Sequence, residues 1–145
     1  MAHVEATRHL WVTPDALWAT VADLPNWDKW LTPHARWLAE PPAALTPGAT
    51  LVSKVVVLGM SNKITWHVTA VDAPSRLAMS GSGMAGVRCR LEVSITPAEE
   101  GSTFRVSGDF QGELIHGALG TAVTEDSAQQ LNRAMQRLEA LAATA

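Results

Sequence analysis

The 145-residue chain has one cysteine, no tyrosine and no long apolar run. The lone Cys89 cannot form an internal disulfide or build a thiolate metal site by itself, so the sequence predicts a reducing compartment and gives no support for bound zinc. Without tyrosine, no phenol is available as an acid or as a donor to an oxyanion. Because no stretch of about 18 apolar residues occurs, no membrane-spanning helix is predicted.

The charges are nearly balanced, with 11 basic and 14 acidic side chains and a net charge of -3. Such a chain has no electrostatic field that would gather phosphates, so nucleic acid is not an expected partner. The N-terminal segment contains His3, Glu5, Arg8 and His9 and lacks the apolar stretch of a secretion signal. We therefore predict a cytoplasmic protein.

The sequence does contain a large apolar fraction, 47%, beside 17% charged residues. This composition is typical of a globular protein, and the length is that of one ordinary domain. Six tryptophans stand beside two phenylalanines, so nearly all of the large aromatic surface is indole. We predict one domain over residues 1–145, with neither internal repeats nor a linker.

Alternating and helical patterns divide the chain into three parts. A strand over Val4–Val12 precedes a helix that Thr13 caps, with Pro14 at the first helical position, and a second short helix follows over Trp27–Leu31. The C-terminal segment Thr121–Ala143 has no glycine or proline and predicts a long amphipathic helix. Between them, period-two alternation predicts strands over residues 51–58, 64–70, 76–80, 87–95 and 104–110, with a hairpin turn over 59–62.

This order of elements predicts an α+β fold, because the apolar face of an antiparallel sheet must be covered by the long helix. The inward phase of the strands and of the helix gives a mostly apolar surface, which is the usual character of small-ligand pockets. A filled core would show the same pattern. The residues of this surface that we take as candidate ligand contacts are Val55, Val57, Trp66, Cys89, Leu91, Phe104, Phe110 and Val123.

Two N-terminal segments, Val12–Trp18 and Asp23–Trp30, resemble the start of the START-like helix-grip superfamily, also called SRPBCC or the polyketide cyclase/dehydrase family. The tryptophan in the first helix, the aspartate that ends it and the paired aromatics follow the order and spacing of that family. More narrowly, the segments Trp30–Trp37 and Gly59–Trp66 resemble an actinobacterial branch of toxins from type II toxin–antitoxin pairs.

The resemblance implies a Bet v 1-like, helix-grip fold, in which a curved antiparallel sheet wraps round the C-terminal helix and two short helices follow the first strand. It also implies a largely apolar cavity between sheet and helix for a lipid, a polyketide or another hydrophobic molecule. In this family the segment that holds Trp27, Trp30 and Trp37 closes one mouth of the cavity. These indoles are therefore either a ligand gate or protein-binding patch, or ordinary packing of the short helices.

His34 and Asp126 are the polar candidates. His34 lies on a predicted loop, where a neutral imidazole would donate to a ligand carbonyl, but no acid nearby in the sequence is placed to orient it, which favours a solvent-exposed side chain. Asp126 lies where the helical stripe extends towards the sheet, so its carboxylate either anchors a ligand or reaches water at the edge of the stripe. The other histidines lack ligand-like spacing to His34, so no metal or cofactor is predicted.

We predict that this protein binds a hydrophobic small molecule and has no catalytic apparatus. Cys89 is expected to face inward and to be unreactive, since no base accompanies it. One alternative is a toxin that acts through a protein partner, with an antitoxin as its counterpart, for which the local resemblances are the only support. The other is a polyketide cyclase or dehydratase, which needs an inward-facing acid–base pair.

Overall fold

The computed structural model describes residues 2–113 and 115–144, and in this part of the chain the β-strands form one seven-stranded sheet. The α-helices there are α1 (Pro14–Ala22) and α2 (Gly117–Ala143), with 3₁₀ helices over Leu24–Lys29 and Met84–Gly86. The strands are β1 (Ala2–Leu10), β2 (His34–Trp37), β3 (Thr50–Val57), β4 (Met60–Asp72), β5 (Arg76–Ser82), β6 (Arg88–Pro97) and β7 (Ser102–Gln111). All neighbours pair antiparallel, in the order β1-β7-β6-β5-β4-β3-β2.

The sheet curls round helix α2. The helix contacts β1, at one edge of the sheet, and also β3, five strand positions away. In a flat sheet those strands would be about 24 Å apart, roughly twice the diameter of a helix with its side chains, so only a curved sheet allows both contacts. This confirms the predicted α+β helix-grip architecture.

The core lies between the concave face of the sheet and helix α2. Strand residues with the predicted inward phase, such as Leu51, Ile64 and Val93, are buried there. Helix α1 begins as predicted, because Thr13 Oγ1 accepts a hydrogen bond from Ala16 N at 3.3 Å. The buried stripe of α2 consists of Gly120, Val123, Ser127, Leu131, Ala134, Met135, Leu138 and Ala142.

Two segments have a different type of secondary structure from the one predicted. The short helix expected over Trp27–Leu31 is a 3₁₀ helix over Leu24–Lys29, because Pro25 has no amide hydrogen and fits the first turn, so the helix begins before it. The loop expected around His34 is strand β2, which pairs with β3. Four residues are too few for a period-two pattern to reveal a strand.

The turn between β3 and β4 is tighter than predicted. Met60 already pairs with Val57, so Leu58 and Gly59 alone form the turn. Both have positive φ, 55° and 72°, which matches the twist of the flanking strands. Glycine adopts this conformation without strain, whereas leucine does so at a cost.

We predict that Gly81→Ala lowers the free energy of unfolding by about 1–3 kcal/mol, the usual cost of overpacking a core. A Cβ atom at Gly81 would lie 2.7 Å from Ile64 Cγ2 and 2.8 Å from Trp66 Cε3. The control is Gly108→Ala in β7, where the nearest atoms would be 3.6 Å from the new Cβ. Urea unfolding should separate the two variants, and equal stability would contradict this account of the interior.

Candidate functional site

A cavity of about 60 Å³ lies between the sheet and helix α2. Its wall is mostly apolar and includes the large side chains of Trp27 and Trp66. Arg90 belongs to the same wall, but alternation along β6 directs its exposed side chain to the outer face of the sheet. An apolar cavity of roughly 150 Å³ accommodates one benzene, so this inner cavity has room for the end of a molecule and not for a ring.

A larger apolar groove, of about 310 Å³, adjoins the inner cavity. The two spaces share Val55, Ile64 and Phe110 as wall residues. The volume of the groove falls in the range of about 300–1,000 Å³ that is usual for small-molecule sites. Its lining includes three apolar side chains that are partly exposed to solvent, Met60, Met84 and Leu119.

Three polar side chains line the inner cavity: His34, Ser53 and Ser127. Ser53 Oγ accepts a hydrogen bond from Trp66 Nε1 at 3.1 Å. His34 Nε2 and Ser127 Oγ have no hydrogen-bond partner among the described residues, although each residue is only 4% exposed. A buried polar atom without a partner costs about 1–3 kcal/mol, so a polar group bound beside either atom would restore a hydrogen bond.

The imidazole of His34 packs among indole rings. Its centroid is 4.4 Å from that of Trp37 and 6.1 Å from that of Trp27. Burial lowers the pKa of His34 to about 4, and the negative charge of Asp28 opposes that shift. The ring is therefore neutral at neutral pH, with one nitrogen as a donor and the other as an acceptor. The expectation of a solvent-exposed loop histidine is wrong.

Trp27, Trp30 and Trp37, which belong to the 3₁₀ helix, the loop after it and strand β2, form a packed cluster. Trp27 and Trp30 are buried, and Trp37 is half-buried. Trp27 Nε1 donates to Val21 O, and Trp37 Nε1 donates to Leu24 O, each at 2.7 Å. These contacts fit the packing interpretation, and the burial excludes an exposed patch formed by Trp27 and Trp30.

Asp126, for which both a ligand anchor and a position at the edge of the stripe were open, lines neither the inner cavity nor the groove and is hydrogen-bonded within the protein. Its Oδ2 accepts a hydrogen bond from Leu58 N at 3.0 Å and another from Gln130 Nε2 at 2.7 Å. Gln130 Nε2 also donates to Val56 O at 3.2 Å. The carboxylate therefore holds the β3–β4 turn to helix α2 beside the groove.

The other predicted contacts divide into two sets. Cys89 and Phe104 are buried in the core and line neither space. Burial raises the pKa of the Cys89 thiol to about 11, so the thiol stays protonated at neutral pH. The structure brings the remaining sheet and helix candidates together: Val55, Trp66, Leu91 and Phe110 line the inner cavity, while Val55, Val57, Phe110 and Val123 line the groove.

Sequence reasoning missed Ser53 and Ser127. Ser53 has the inward phase of β3, between Leu51 and Val55. Ser127 lies on the buried stripe of α2, four residues before Leu131. A small polar residue at an apolar position of a regular pattern was therefore the signal that would have revealed both serines.

The described part of the chain brings no three His, Cys, Asp or Glu side chains together in a way that would hold a metal ion. Nor does any helix in the described ranges have the length and apolarity needed to cross a membrane. The site therefore provides apolar burial, together with two unpartnered hydrogen-bonding atoms in the wall of the inner cavity.

The low pKa of His34 predicts that stability depends on pH. Between about pH 6.5 and pH 4 the unfolded chain binds a proton at this side chain and the folded protein does not, so the free energy of unfolding falls as the pH falls. In His34→Phe an aromatic ring still fills this position, but it does not titrate, so the dependence of stability on pH that His34 causes disappears. We predict that the wild type loses stability relative to His34→Phe across this window, as measured by urea unfolding at each pH.

Because the wild type and His34→Phe share all their other histidines, the difference between their stabilities reports His34 alone. The hydrogen bond with Asp109 raises the pKa of His3, which stabilises the fold at low pH and not at high pH, but His3 is the same in both proteins. Parallel curves of stability against pH would show that His34 is not buried as a neutral ring.

Residues 1–142 match the model of a family described as "Polyketide cyclase / dehydrase and lipid transport". An uncharacterised protein of Mycobacterium tuberculosis is 33% identical over 122 residues, which cover 84% of this chain and 85% of that protein. A second protein of the same species, named a toxin, is 27% identical over 136 residues, 94% of each chain.

Among solved structures, a START superfamily protein from Mycobacterium smegmatis matches with a TM-score of 0.79, over 99% of both chains. The two sequences are only 16% identical, so this likeness shows a common fold. A common fold does not by itself imply a common ligand.

Proposed function

Since this chain belongs to the polyketide cyclase/dehydrase and lipid transport family, we propose that it binds a hydrophobic small molecule, of the lipid or polyketide type, between the sheet and helix α2. The observation that carries the proposal is the apolar groove of about 310 Å³ beside the inner cavity with its two unpartnered polar atoms. An apolar molecule in the groove would cover side chains that are now in contact with water.

The energy of binding would come from the burial of apolar surface. Each buried methylene group contributes about 0.8 kcal/mol, so six of them contribute about 5 kcal/mol before the costs of association. Met60, Met84 and Leu119 would supply contact area at the rim of the groove, where they are exposed in the free protein. Hydrogen bonds at the inner end would then orient the molecule.

Ligand binding without catalysis accounts for this site better than a cyclase or dehydratase activity does. General acid–base catalysis needs a proton donor and a proton acceptor within hydrogen-bond reach of the substrate. Among the described residues with buried side chains in the inner cavity, His34 is the titratable one, and its pKa of about 4 makes it a weak base. Ser53 and Ser127, its polar neighbours on the wall, do not titrate near neutral pH.

Leu119 at the rim of the groove provides a test. We predict that the wild type binds the uncharged fluorescent probe N-phenyl-1-naphthylamine and that Leu119→Glu weakens binding by about fivefold or more, because a carboxylate beside the probe loses hydration. Fluorescence titration gives both dissociation constants.

Leu38→Glu is the matched control. Leu38 is 41% exposed, against 38% for Leu119, and it does not line the groove. This variant should bind the probe as the wild type does. Equal losses in both variants, or no binding by the wild type, would contradict a ligand site in the groove.

The relative named a toxin supports a second candidate function, because the similarity covers 94% of both chains. We propose, as this alternative, that the chain is a toxin with an antitoxin protein as its partner. Among the described residues, Trp11 is the most exposed large apolar side chain, at 69%, and it packs against the ring of His9. Exposed tryptophan is suited to a contact with a protein partner.

The toxin alternative predicts that induced expression in an actinobacterial host arrests growth. Trp11→Ala should relieve the arrest, whereas Leu38→Ala, which removes another exposed apolar side chain, should not. Normal growth at a level of folded protein verified by immunoblot would contradict the toxin function.

A further inference from the structure

We propose that the inner cavity recognises a hydroxyl group at the end of an otherwise apolar ligand, through His34 Nε2 and Ser127 Oγ. The inference rests on the proposed function and narrows it to one class of ligand: uncharged molecules with an apolar body and a terminal alcohol on a short chain, bound with the hydroxyl innermost.

The first step of the argument is the unused hydroxyl of Ser127. Serine and threonine inside a helix commonly donate to the carbonyl four residues earlier. In α2, Thr121 Oγ1 does so to Gly117 O at 3.2 Å and Thr124 Oγ1 to Gly120 O at 3.0 Å. Ser127 Oγ makes no hydrogen bond within the described chain and is buried in the cavity wall.

The second step is the fixed ring of His34. Strand β2 places this residue opposite Val55, and His34 N donates to Leu31 O at 2.9 Å. The indole rings of Trp27 and Trp37, which also pack against each other, contact the imidazole and hold it in the cavity wall. Its Nε2 is thus a preorganised polar atom that faces no protein partner among the residues described.

The third step is the chemistry that this pair of atoms accepts. A serine hydroxyl donates and accepts, and a neutral imidazole nitrogen does one or the other according to its tautomer. A ligand hydroxyl also does both, so it is a suitable partner for each of these atoms in either tautomer of the imidazole. A carboxylate would instead be an uncompensated buried charge, because the side chain of Arg90, the cation of this wall, is exposed on the other face of the sheet.

The fourth step is size. A volume of about 60 Å³ admits a hydroxyl with a short length of chain and excludes a ring. The body of the ligand would then lie in the groove of about 310 Å³, past the shared residues Val55, Ile64 and Phe110. The hydroxyl end of the ligand would thus occupy the inner cavity, and its apolar body would occupy the adjoining groove.

The test compares 1-octanol, 1-fluorooctane and octanoate at about pH 7.5, where octanoate is ionised. Fluorine is close to a hydroxyl in size and has no proton to donate, so the alcohol and the fluoride differ mainly in hydrogen bonding. Trp27 and Trp66 line the cavity, so tryptophan fluorescence reports binding.

We expect Ser127→Ala to weaken the binding of 1-octanol about fivefold, which corresponds to the loss of one hydrogen bond. The dissociation constant of 1-fluorooctane should stay within about twofold of the wild-type value. Octanoate should bind the wild type on the order of tenfold more weakly than 1-octanol. The ¹⁵N resonance of His34 Nε2 should shift with 1-octanol and stay in place with 1-fluorooctane.

Ser102→Ala is the control for the loss of a buried serine. Ser102 is fully buried and donates to Val12 O at 2.7 Å, away from the cavity, so this variant should bind 1-octanol like the wild type. Equal losses for 1-octanol and 1-fluorooctane in Ser127→Ala, or octanoate binding as tight as that of 1-octanol, would overturn the recognition of a hydroxyl and leave hydrophobic binding intact. If none of the three probes binds the wild type, the proposed function fails too.

Discussion

The curvature of the sheet round helix α2 is the constraint on which the rest of this structure depends. Seven strands at about 4.8 Å spacing present an inner surface much wider than one helix, so a flat sheet would leave apolar side chains in water. Curling brings β1 and β3 to the same helix and encloses the space between them. Large indoles, Trp27 and Trp66 among them, fill much of that space, and the inner cavity is what they leave.

Two polar atoms in that remaining space oppose the packing that surrounds them. An apolar core of the same shape would be more stable with alanine in place of Ser127, because a buried hydroxyl without a partner is costly. His34 adds a further cost at acidic pH, where the surrounding indoles keep its ring neutral. Groups that lower stability within an otherwise well-packed interior are typical of a binding site.

Much of this arrangement could be predicted from sequence because it depends on short-range periodicity. The alternation through Val55 and Trp66 gave the correct inward phase, and Thr13 before Pro14 gave the correct start of α1. His34 could not be placed, because its strand has four residues and its burial depends on how the neighbouring tryptophans pack. Asp126 could not be assigned its role either, since its partner Leu58 N lies 68 positions away in the chain.

The measurement that tests the central claim most directly is native mass spectrometry of the protein purified from its own host, followed by extraction and identification of any compound that leaves on denaturation. The account predicts a mass above that of the polypeptide and the release of an uncharged, largely apolar molecule with a hydroxyl group. A mass equal to that of the polypeptide alone, unchanged after incubation with a lipid extract of the host, would contradict it.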